Sequence, residues 1–229
     1  ELLEKNRDAA KSRVKEFSIG GKHFAFNSQP SIMGVINLSP DSWYRESVCL
    51  TTESAIERGK ILAAQGAAII DIGAESSLAQ AARVDASGQT SKLLPVIKGL
   101  CAANILISAE TYQPSVAKTC LEAGAKVLNV TGTESSVEIF RMAAANDAAV
   151  IICFVQGTNV REVSDFKLDA DPISFMSDYF SRQIESAQKN GLDKIFIDPG
   201  LGFYYRNLQD SAVRVRHQMN VFLNSFRLR

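Results

Sequence analysis

Short apolar runs recur along the chain, and each of them ends in polar side chains. The six runs are Ile32–Ile36, Ala68–Ile72, Ile105–Ile107, Val127–Val130, Val150–Phe154 and Ile195–Ile197. Their length and their sharp polar ends are typical of buried β-strands. The pattern therefore predicts six strands, each leading directly into a polar loop.

Stretches with helical spacing lie between and after these strands. They are Thr52–Gln65, Gln113–Ala123, Ser135–Asn146, Ile173–Lys189 and, after the last strand, Asn207–Phe226. Two of them stop at a glycine, Gly124 and Gly191, which suits a left-handed cap at the helix C-terminus. Regular alternation of strand and helix predicts parallel strands joined by right-handed crossovers.

Both a TIM-type barrel and an open doubly wound sheet are built from such units. The chain lacks a Gly-x-Gly-x-x-Gly after the first strand and a Gly-Lys-Ser/Thr phosphate loop, which a nucleotide-binding open sheet commonly carries. Ahead of the first strand, FSIGGKHFAF (Phe17–Phe26) predicts a hairpin that turns at Gly20 and Gly21. Such a hairpin is a plausible floor for a barrel.

We therefore predict a TIM-type (β/α)8 barrel with six β/α units visible, preceded by an N-terminal helix and the β-hairpin. The predicted division assigns residues 1–30 to the helix and hairpin, which cap the barrel. Residues 31–229 form the barrel, which we expect to be incomplete at its C-terminus because an eightfold barrel needs two more strands.

Composition excludes several classes of function. The 229 residues hold 25 Lys and Arg against 25 Asp and Glu, so charge favours neither a nucleic acid nor a membrane surface as the partner. No apolar run is long enough to span a bilayer, and the charged N-terminal stretch resembles no signal peptide. We expect a cytoplasmic protein that binds a small molecule and can form a homodimer.

The cysteines and histidines offer little material for a metal centre. Cys49, Cys101, Cys120 and Cys153 are far apart in the sequence and form no Cys-x-x-Cys, so we interpret them as reduced packing residues. With only two histidines, both a zinc site of the usual kind and a Ser-His-Asp arrangement are poorly supplied.

The polar strand ends are the candidate site, because the carboxyl ends of all barrel strands converge on one face. These residues are Asn37, Asp41, Asp71, Glu75, Ser76, Ser77, Glu110, Thr111, Asn129, Gln156 and Asp198. Carboxylates accept paired N–H groups and amides match mixed donor-acceptor edges, so the set suits a neutral polar heterocycle.

Four of these strand ends carry motifs of one family. The stretches are MGVINLSPDSW (33–43), GAAIIDIGAESS (66–77), ISAETYQPSVAKTCLEAGAKVLN (107–129) and IDPGLGF (197–203). In this order they resemble dihydropteroate synthase and the wider pterin-binding barrel family. The resemblance implies a transferase of folate biosynthesis that condenses 6-hydroxymethyl-dihydropterin pyrophosphate with p-aminobenzoate and uses magnesium on the diphosphate.

The resemblance also implies roles for individual residues. Asn37 matches an asparagine that meets the diphosphate and the metal, and Asp198 matches the carboxylate that takes the amino edge of the pterin; these two are the candidate catalytic residues. Glu110, Asn129 and Asp198 match pterin-binding positions. Ser77, Gln156 and Phe203 match further substrate-binding positions, with Phe203 near p-aminobenzoate.

The chain departs from the family pattern at several positions. Glu110 replaces an aspartate, and Leu78 stands where the second loop of the family carries an arginine suited to anions. The last two strands of the family, with Ser-Arg-Lys and Arg-x-His, have no counterpart before Arg229. These departures keep two alternatives open: a pterin-binding pseudoenzyme or regulatory protein, and a folate-dependent methyltransferase.

Structural explanations compete with the functional ones at the same residues. Asp198 precedes Pro-Gly and could simply begin a turn, and Asn37 is an equally good turn residue. For Asp71 and Glu75 we favour a structural interpretation as buried groups that hydrogen-bond neighbouring loops, since a buried carboxylate must be satisfied.

Overall fold

The computed structural model describes residues 2–78, 80–162, 166–203, 205–208 and 210–229. The strands are β1 (Phe17–Ile19), β2 (Lys22–Phe24), β3 (Ile32–Asn37), β4 (Ala67–Gly73), β5 (Ile107–Glu110), β6 (Val127–Val130), β7 (Ala149–Cys153) and β8 (Ile195–Asp198). The helices are α1 (Leu2–Lys5), α2 (Arg7–Lys11), α3 (Thr52–Ala64), α4 (Ala86–Ala102), α5 (Pro114–Glu122), α6 (Ser136–Ala145), α7 (Pro172–Lys189) and α8 (Ser211–Asn224). Short 3-10 turns occupy Arg45–Ser47, Arg206–Leu208 and Ser225–Leu228.

Strands β3 to β8 form one parallel sheet whose spatial order is the chain order. Each of these strands is followed by one helix, which gives six β/α units among the described residues. A strand order without reversal is that of a (β/α) barrel and not that of a doubly wound sheet. The predicted fold is confirmed as a partial barrel. Within the described part of the chain, the outer strands β3 and β8 form no ladder with each other.

The core lies between the sheet and the helices that follow its strands. Ile36, Ile70, Ile72 and Ile107 are fully buried on strands β3 to β5, and they alternate with the residues that point into the barrel. Burying each such side chain contributes roughly 1.5–3 kcal/mol to folding. This packing fixes the direction in which the alternate, inward side chains project.

Two glycines bring α3 and α4 close together. A Cβ at Gly59 would lie 2.7 Å from a methyl carbon of Leu100 on α4. A Cβ at Gly99 would similarly overlap Ile56 of α3. A larger residue at either position would push the helices apart, because the interior is close-packed.

The hairpin of β1 and β2 packs against the end of the sheet. Its strands pair antiparallel, with Phe17 opposite Phe24. The ring of Phe196 on β8 lies 5.1 Å from that of Phe17 and 5.4 Å from that of Phe26, both edge to face, a favourable arrangement for aromatic pairs. The hairpin is thus where the sequence pattern placed it. The division at residue 30 stays a prediction.

Several predicted boundaries were wrong. The single N-terminal helix is two short ones separated by Asn6. Strand β5 spans Ile107–Glu110. It therefore begins at the last residue of the apolar run Ile105–Ile107 and includes the polar residues that follow. The last helix begins only at Ser211, because Asp210 caps it through the backbone N–H groups of Ala212 and Val213.

No helical stretch was identified at helix α4, although the six predicted β/α units require a helix there. It contains Gly88, Pro95 and Gly99, residues that disfavour a helix interior. Asp85 caps it by accepting a hydrogen bond from the backbone of Gly88 at 2.7 Å. None of the described helices is long and apolar enough to cross a membrane.

Candidate pterin site

A cavity of about 390 Å³ opens at the carboxyl ends of the barrel strands. Its lining consists of Met33, Val35, Asn37, Ser42, Trp43, Tyr44, Asp71, Glu75, Ser76, Ser77, Glu110, Asn129, Thr131, Asp198, Gly202 and Phe203. The cavity thus brings together six of the seven predicted site residues, namely Asn37, Ser77, Glu110, Asn129, Asp198 and Phe203. Its volume is in the range of small-molecule sites.

The register of the sheet explains why three of them meet. Asn37 pairs with Gly73, Gly73 with Glu110, and Glu110 with Asn129. These residues form one row across β3 to β6. Because neighbouring strands lie about 4.8 Å apart, side chains of one row that point inward share the same space. The site is therefore a direct consequence of strand pairing.

Asn37 divides its polar groups between the loop and the cavity. Its amide nitrogen donates to the hydroxyl of Ser47 at 2.6 Å, and its backbone carbonyl accepts from the N–H of Cys49 at 2.9 Å. These bonds fold the loop back onto the end of β3. Asn37 lines the cavity, and none of the hydrogen bonds described above uses its amide oxygen Oδ1.

Glu110 lies over Gly73, where no side chain competes for the space. A Cβ on Gly73 would overlap the carboxylate oxygen Oε2 of Glu110. The other oxygen, Oε1, accepts a hydrogen bond from the hydroxyl of Thr131 at 3.1 Å. Burial, followed by the nearby charge of Asp71, raises the pKa of Glu110 to about 8.

Asp71 and Asn129 join β4 to β6 beneath the cavity. The amide nitrogen of Asn129 donates to Oδ2 of Asp71 at 3.1 Å. Oδ1 of Asp71 is buried and makes no hydrogen bond of good geometry within the described residues, although Ser108 is its register partner on β5. Burial raises the pKa of Asp71 to about 6, and hydrogen bonding to Ser108 and Asn129 opposes that rise. The surroundings of Asp71 thus agree with its structural interpretation as a buried group held by neighbouring side chains.

Asp198 ends β8 with one oxygen in a turn. Its Oδ1 accepts from the backbone N–H of Gly200 at 2.8 Å. Gly200 has a φ of +74° and would meet the carbonyl of Phe154 if it carried a side chain, so glycine suits this turn. The turn explanation is confirmed for Oδ1. Asp198 lines the cavity, and the role of its second oxygen toward a ligand stays a prediction.

The loops after β3 and β8 form the mouth of the cavity. Trp43 donates from its indole nitrogen to the backbone carbonyl of Gly202 at 3.1 Å, next to Phe203. The opposite wall carries Ser76, whose hydroxyl donates to the carbonyl of Asp41 at 3.1 Å, and Ser77. Leu78 follows Ser77 directly. The position at which the family pattern has an arginine is therefore adjacent to the mouth.

Glu75 stabilises the cavity wall by pairing with Arg161, a buried residue that the sequence analysis did not single out. Glu75 accepts from the backbone N–H of Val84 and from the hydroxyl of Tyr112, both at 2.9 Å, and pairs with Arg161 at 3.1 Å. Arg161 also donates to the carbonyls of Ser76 and Ala81. The structural interpretation of Glu75 is confirmed. No motif marks Arg161, because its partners are backbone carbonyls about 80 residues away in the sequence.

Gln156 lies outside the cavity lining. Its amide nitrogen donates to the carbonyl of Lys167 at 3.0 Å, and its amide oxygen accepts from the N–H of the same residue at 2.6 Å. Both polar groups of the side chain therefore close the loop after β7. The structure does not bring this predicted substrate-binding residue to the other six.

The donor set fits the magnesium role that the resemblance implies for Asn37. Its Oδ1 is a hard oxygen ligand on the cavity wall, of the kind that Mg²⁺ accepts. Magnesium keeps several waters and is commonly held by one or two protein oxygens together with substrate phosphates. In the described part of the chain, no group of three or more His, Cys, Asp or Glu could hold a metal ion.

Comparison with known proteins identifies the relatives of this chain. The sequence profile of the family "Pterin binding enzyme" matches residues 33–223. Dihydropteroate synthase of Synechocystis is 30% identical over 191 residues, which are 81% of this chain and 65% of that protein. The synthase of Streptococcus pyogenes serotype M3 is 32% identical over 184 residues, or 79% and 66% of the two chains.

Solved structures agree with the sequence relatives. Dihydropteroate synthase of Yersinia pestis, crystallised with a sulfonamide drug, superimposes with a TM-score of 0.75 and 23% identity over 93% of this chain and 77% of that one. The Xanthomonas albilineans enzyme with 4-aminobenzoic acid gives 0.73 and 25%, over 93% and 73%.

The match covers most of this chain but a smaller share of its relatives. The chain spans just under two thirds of the length of the curated synthases that it matches. The matched residues include β3 to β8 and the cavity at their carboxyl ends. On the profile match and the synthase relatives, this chain belongs to the pterin-binding enzyme family.

Proposed function

We propose that the chain acts as a dihydropteroate synthase-type transferase of folate biosynthesis. The proposed substrates are 6-hydroxymethyl-dihydropterin pyrophosphate and p-aminobenzoate. The observation that carries the proposal is the common cavity of Asn37, Glu110, Asn129 and Asp198, each at the motif position that the family uses. The family relationship supports the same reaction.

In this proposal the side chains at the floor of the cavity bind the pterin ring through hydrogen bonds. Asp198 accepts N–H groups from the amino edge of the ring through its second oxygen. Asn129 uses one amide hydrogen on Asp71 and offers the other to a ring acceptor. Glu110 has a pKa of about 8 and is therefore largely protonated at neutral pH. Its carboxyl O–H donates a hydrogen bond to a second ring acceptor.

The chemical step exchanges one bond at the pterin methylene. The bond from this carbon to the diphosphate oxygen breaks, and a bond to the amine nitrogen of p-aminobenzoate forms while that nitrogen loses a proton. The electron-rich ring stabilises the positive charge that develops on the carbon. The carboxylates of Asp71 and Asp198 favour that charge, so the protein acts mainly by orientation and electrostatics.

The mouth of the cavity would receive the leaving group and the amine. Asn37 Oδ1 is the proposed protein ligand of magnesium, which when bound offsets the charge of the diphosphate. Ser77 is proposed to bind an anionic oxygen, and the ring of Phe203 to contact p-aminobenzoate. Trp43, hydrogen-bonded across the mouth, restricts the entry of water.

A second candidate function is pterin binding without transfer. It is favoured by Leu78 at the position of an anion-binding arginine and by a cavity whose described lining includes no lysine or arginine. Such a protein would hold a pterin but bind its diphosphate ester no better than the alcohol.

One pair of assays separates these functions. Calorimetry with 6-hydroxymethyl-dihydropterin measures ring binding, and release of pyrophosphate with p-aminobenzoate and magnesium measures transfer. We expect both for a synthase and only the first for a binding protein. Failure of ring binding in the wild-type chain would refute both proposals.

The remaining expectations concern assembly and location. We propose a homodimer, which is supported by four apolar side chains exposed along one side of α8: Val215, Met219, Phe222 and Leu223. Sedimentation velocity would show a single monomeric species if this proposal is wrong. The cytoplasmic location stays a prediction, to be tested by cell fractionation.

A further inference from the structure

The thiol of Cys153 lies between two side chains of the cavity floor. Its sulfur is 3.1 Å from Oδ1 of Asn129 and 3.7 Å from Oδ2 of Asp198. Cys153 is 1% exposed and is the register partner of Asp198 on the neighbouring strand. The sequence alone gave this cysteine only a packing role.

The two neighbours of Asn129 determine how its amide is oriented. Asp71 is an acceptor and faces the amide nitrogen at 3.1 Å. The Cys153 thiol is a donor and faces the amide oxygen. Turning the amide over would place its oxygen against the Asp71 carboxyl and its N–H groups against the thiol hydrogen. Both contacts therefore favour one orientation.

The position of the thiol is itself fixed by the backbone. Tyr179 on α7 donates from its hydroxyl to the carbonyl of Cys153 at 2.9 Å. The following N–H, that of Phe154, donates to the carbonyl of Asp198 at 2.8 Å. A donor held from both sides in a close-packed interior loses little freedom when it forms its hydrogen bond.

The surroundings keep this sulfur protonated. Burial, together with the charges of Asp198, Glu110 and Asp71, raises the pKa of Cys153 well above its usual value. A thiol in such a place is a hydrogen-bond donor and a poor nucleophile. Two acceptors lie within reach of its single hydrogen, Oδ1 of Asn129 at 3.1 Å and Oδ2 of Asp198 at 3.7 Å, and the shorter contact favours Asn129.

We propose that Cys153 is a positioning residue that locks the Asn129 amide so that its free N–H is presented to the ring of a bound pterin. This inference rests on the proposed function of the cavity as a pterin site. It extends that function by naming Cys153 as the group that sets the hydrogen-bond pattern of the cavity floor. In this pattern, Asn129 presents a donor between two acceptors, Asp71 and Asp198.

Three substitutions at this position separate the hydrogen bond from the packing. Cys153→Ser keeps a donor, Cys153→Val keeps apolar volume without a donor, and Cys153→Ala removes both. We expect the valine and alanine variants to bind 6-hydroxymethyl-dihydropterin about three- to tenfold more weakly in calorimetry, as befits one lost hydrogen bond. The serine variant should stay within about twofold of the wild type, because its hydroxyl also donates.

Cys120 supplies the matched control. It is a fully buried residue of α5, and burial alone raises the pKa of its thiol to about 12. Cys120→Ala should lower the unfolding midpoint without changing pterin affinity. In the infrared spectrum, the S–H band that disappears in Cys153→Ala should lie at lower frequency than the band that disappears in Cys120→Ala, because hydrogen bonding weakens the S–H bond.

Valine binding the pterin as tightly as the wild type would overturn the inference, as would serine binding as weakly as valine. If the wild-type chain binds no pterin, the proposed function fails on its own. A lowered Cys153 band would then still support the thiol-amide contact, whereas coincident bands of the two cysteines would refute it.

Discussion

The indole nitrogen of Trp43 donates a hydrogen bond of 3.1 Å to the backbone carbonyl of Gly202, which is 159 residues away in the sequence. The bond links the loop after β3 to the loop after β8, the two outer strands of the sheet. It therefore closes the mouth of the cavity on the side where the described strands are not paired.

Trp43 should report ligand binding directly. It is the only tryptophan of the chain and lines the cavity while about half of its side chain is exposed. A pterin in the cavity should quench its fluorescence in a saturable titration, whose midpoint matches the calorimetric dissociation constant. An unchanged emission spectrum at saturating pterin would place the ligand elsewhere.

Replacing Asp198 by asparagine should weaken pterin binding by roughly ten- to a hundredfold. The change swaps an anionic acceptor for a mixed donor-acceptor while the turn bond to Gly200 can persist. Calorimetry on Asp198→Asn and on Asp147→Asn, an exposed carboxylate far from the cavity, provides the comparison. Equal affinity in the wild type and Asp198→Asn would remove Asp198 from the site.

Glu110 should make the protein less stable as pH rises. Its pKa is about 8 in the folded chain and 4.5 ordinarily, so between these values the folded state binds more protons than the unfolded state. The free energy of unfolding then falls with pH, by at most about 1.4 kcal/mol per pH unit from this group. The stabilisation is fully present below about pH 4.5 and lost above about pH 8.

Urea unfolding at a series of pH values tests this slope. In Glu110→Gln, which can still accept from Thr131, the decline between about pH 6 and pH 8 should largely vanish. Asp71 contributes a decline of the same sign at lower pH, because its pKa is raised from 3.8 to about 6. A wild-type slope unchanged by the Glu110→Gln substitution would show that Glu110 is ionised in the folded protein.

An arginine at position 78 should strengthen binding of the substrate diphosphate. If the loss of this cation limits transfer, Leu78→Arg should raise pyrophosphate release by about tenfold or more, since one preorganised cationic donor is commonly worth two to three orders of magnitude. Leu168→Arg adds the same charge at an exposed leucine outside the cavity lining and serves as the control. Equal rates in the two variants would exclude a specific anion site beside Ser77.

A glycine at position 73 should be required to make room for the side chain of Glu110, which is longer than the aspartate of the family pattern. Gly73→Ala places a methyl group against Oε2 of Glu110 and should cost about 1–3 kcal/mol in stability or binding. Shortening the acid in the double variant with Glu110→Asp should restore part of the loss. Gly202→Ala is the control for stability, because a Cβ there meets no atom within 4 Å.

Much of the fold could be predicted because its signals are local. Apolar runs such as Val127–Val130 have to be buried, and their polar ends have to face the carboxyl edge of a parallel sheet. The row of Asn37, Glu110 and Asn129 follows from these two facts together with the strand order. Helix α4 could not be predicted in this way, because Gly99 is selected for close packing against Ile56 and not for helix propensity.

The rest of the site depends on contacts between distant parts of the chain. The pairing of Arg161 with Glu75 and the thiol of Cys153 beside Asn129 involve side chains with no shared motif or spacing. Gln156 shows the reverse case: its motif position predicts a ligand contact, whereas in the structure its amide bonds the backbone of Lys167. Local sequence cannot show which of several acceptors a polar side chain reaches.

The chain-order pairing of the strands implies a gradient of local opening across the site. Within the described residues β5 and β6 have a hydrogen-bonded strand on each side, whereas β3 and β8 have one. Amide protons of the outer strands should therefore exchange soonest by sub-global opening. Asn37 and Asp198 sit at the ends of those two strands, while Glu110 and Asn129 sit on the inner ones. Any molecule that orders the outer strands would thus raise the affinity of the cavity for its ligand from a distance. A bound ligand would in return protect the amides of these strands from exchange, because ligand binding and strand opening are coupled by one free energy.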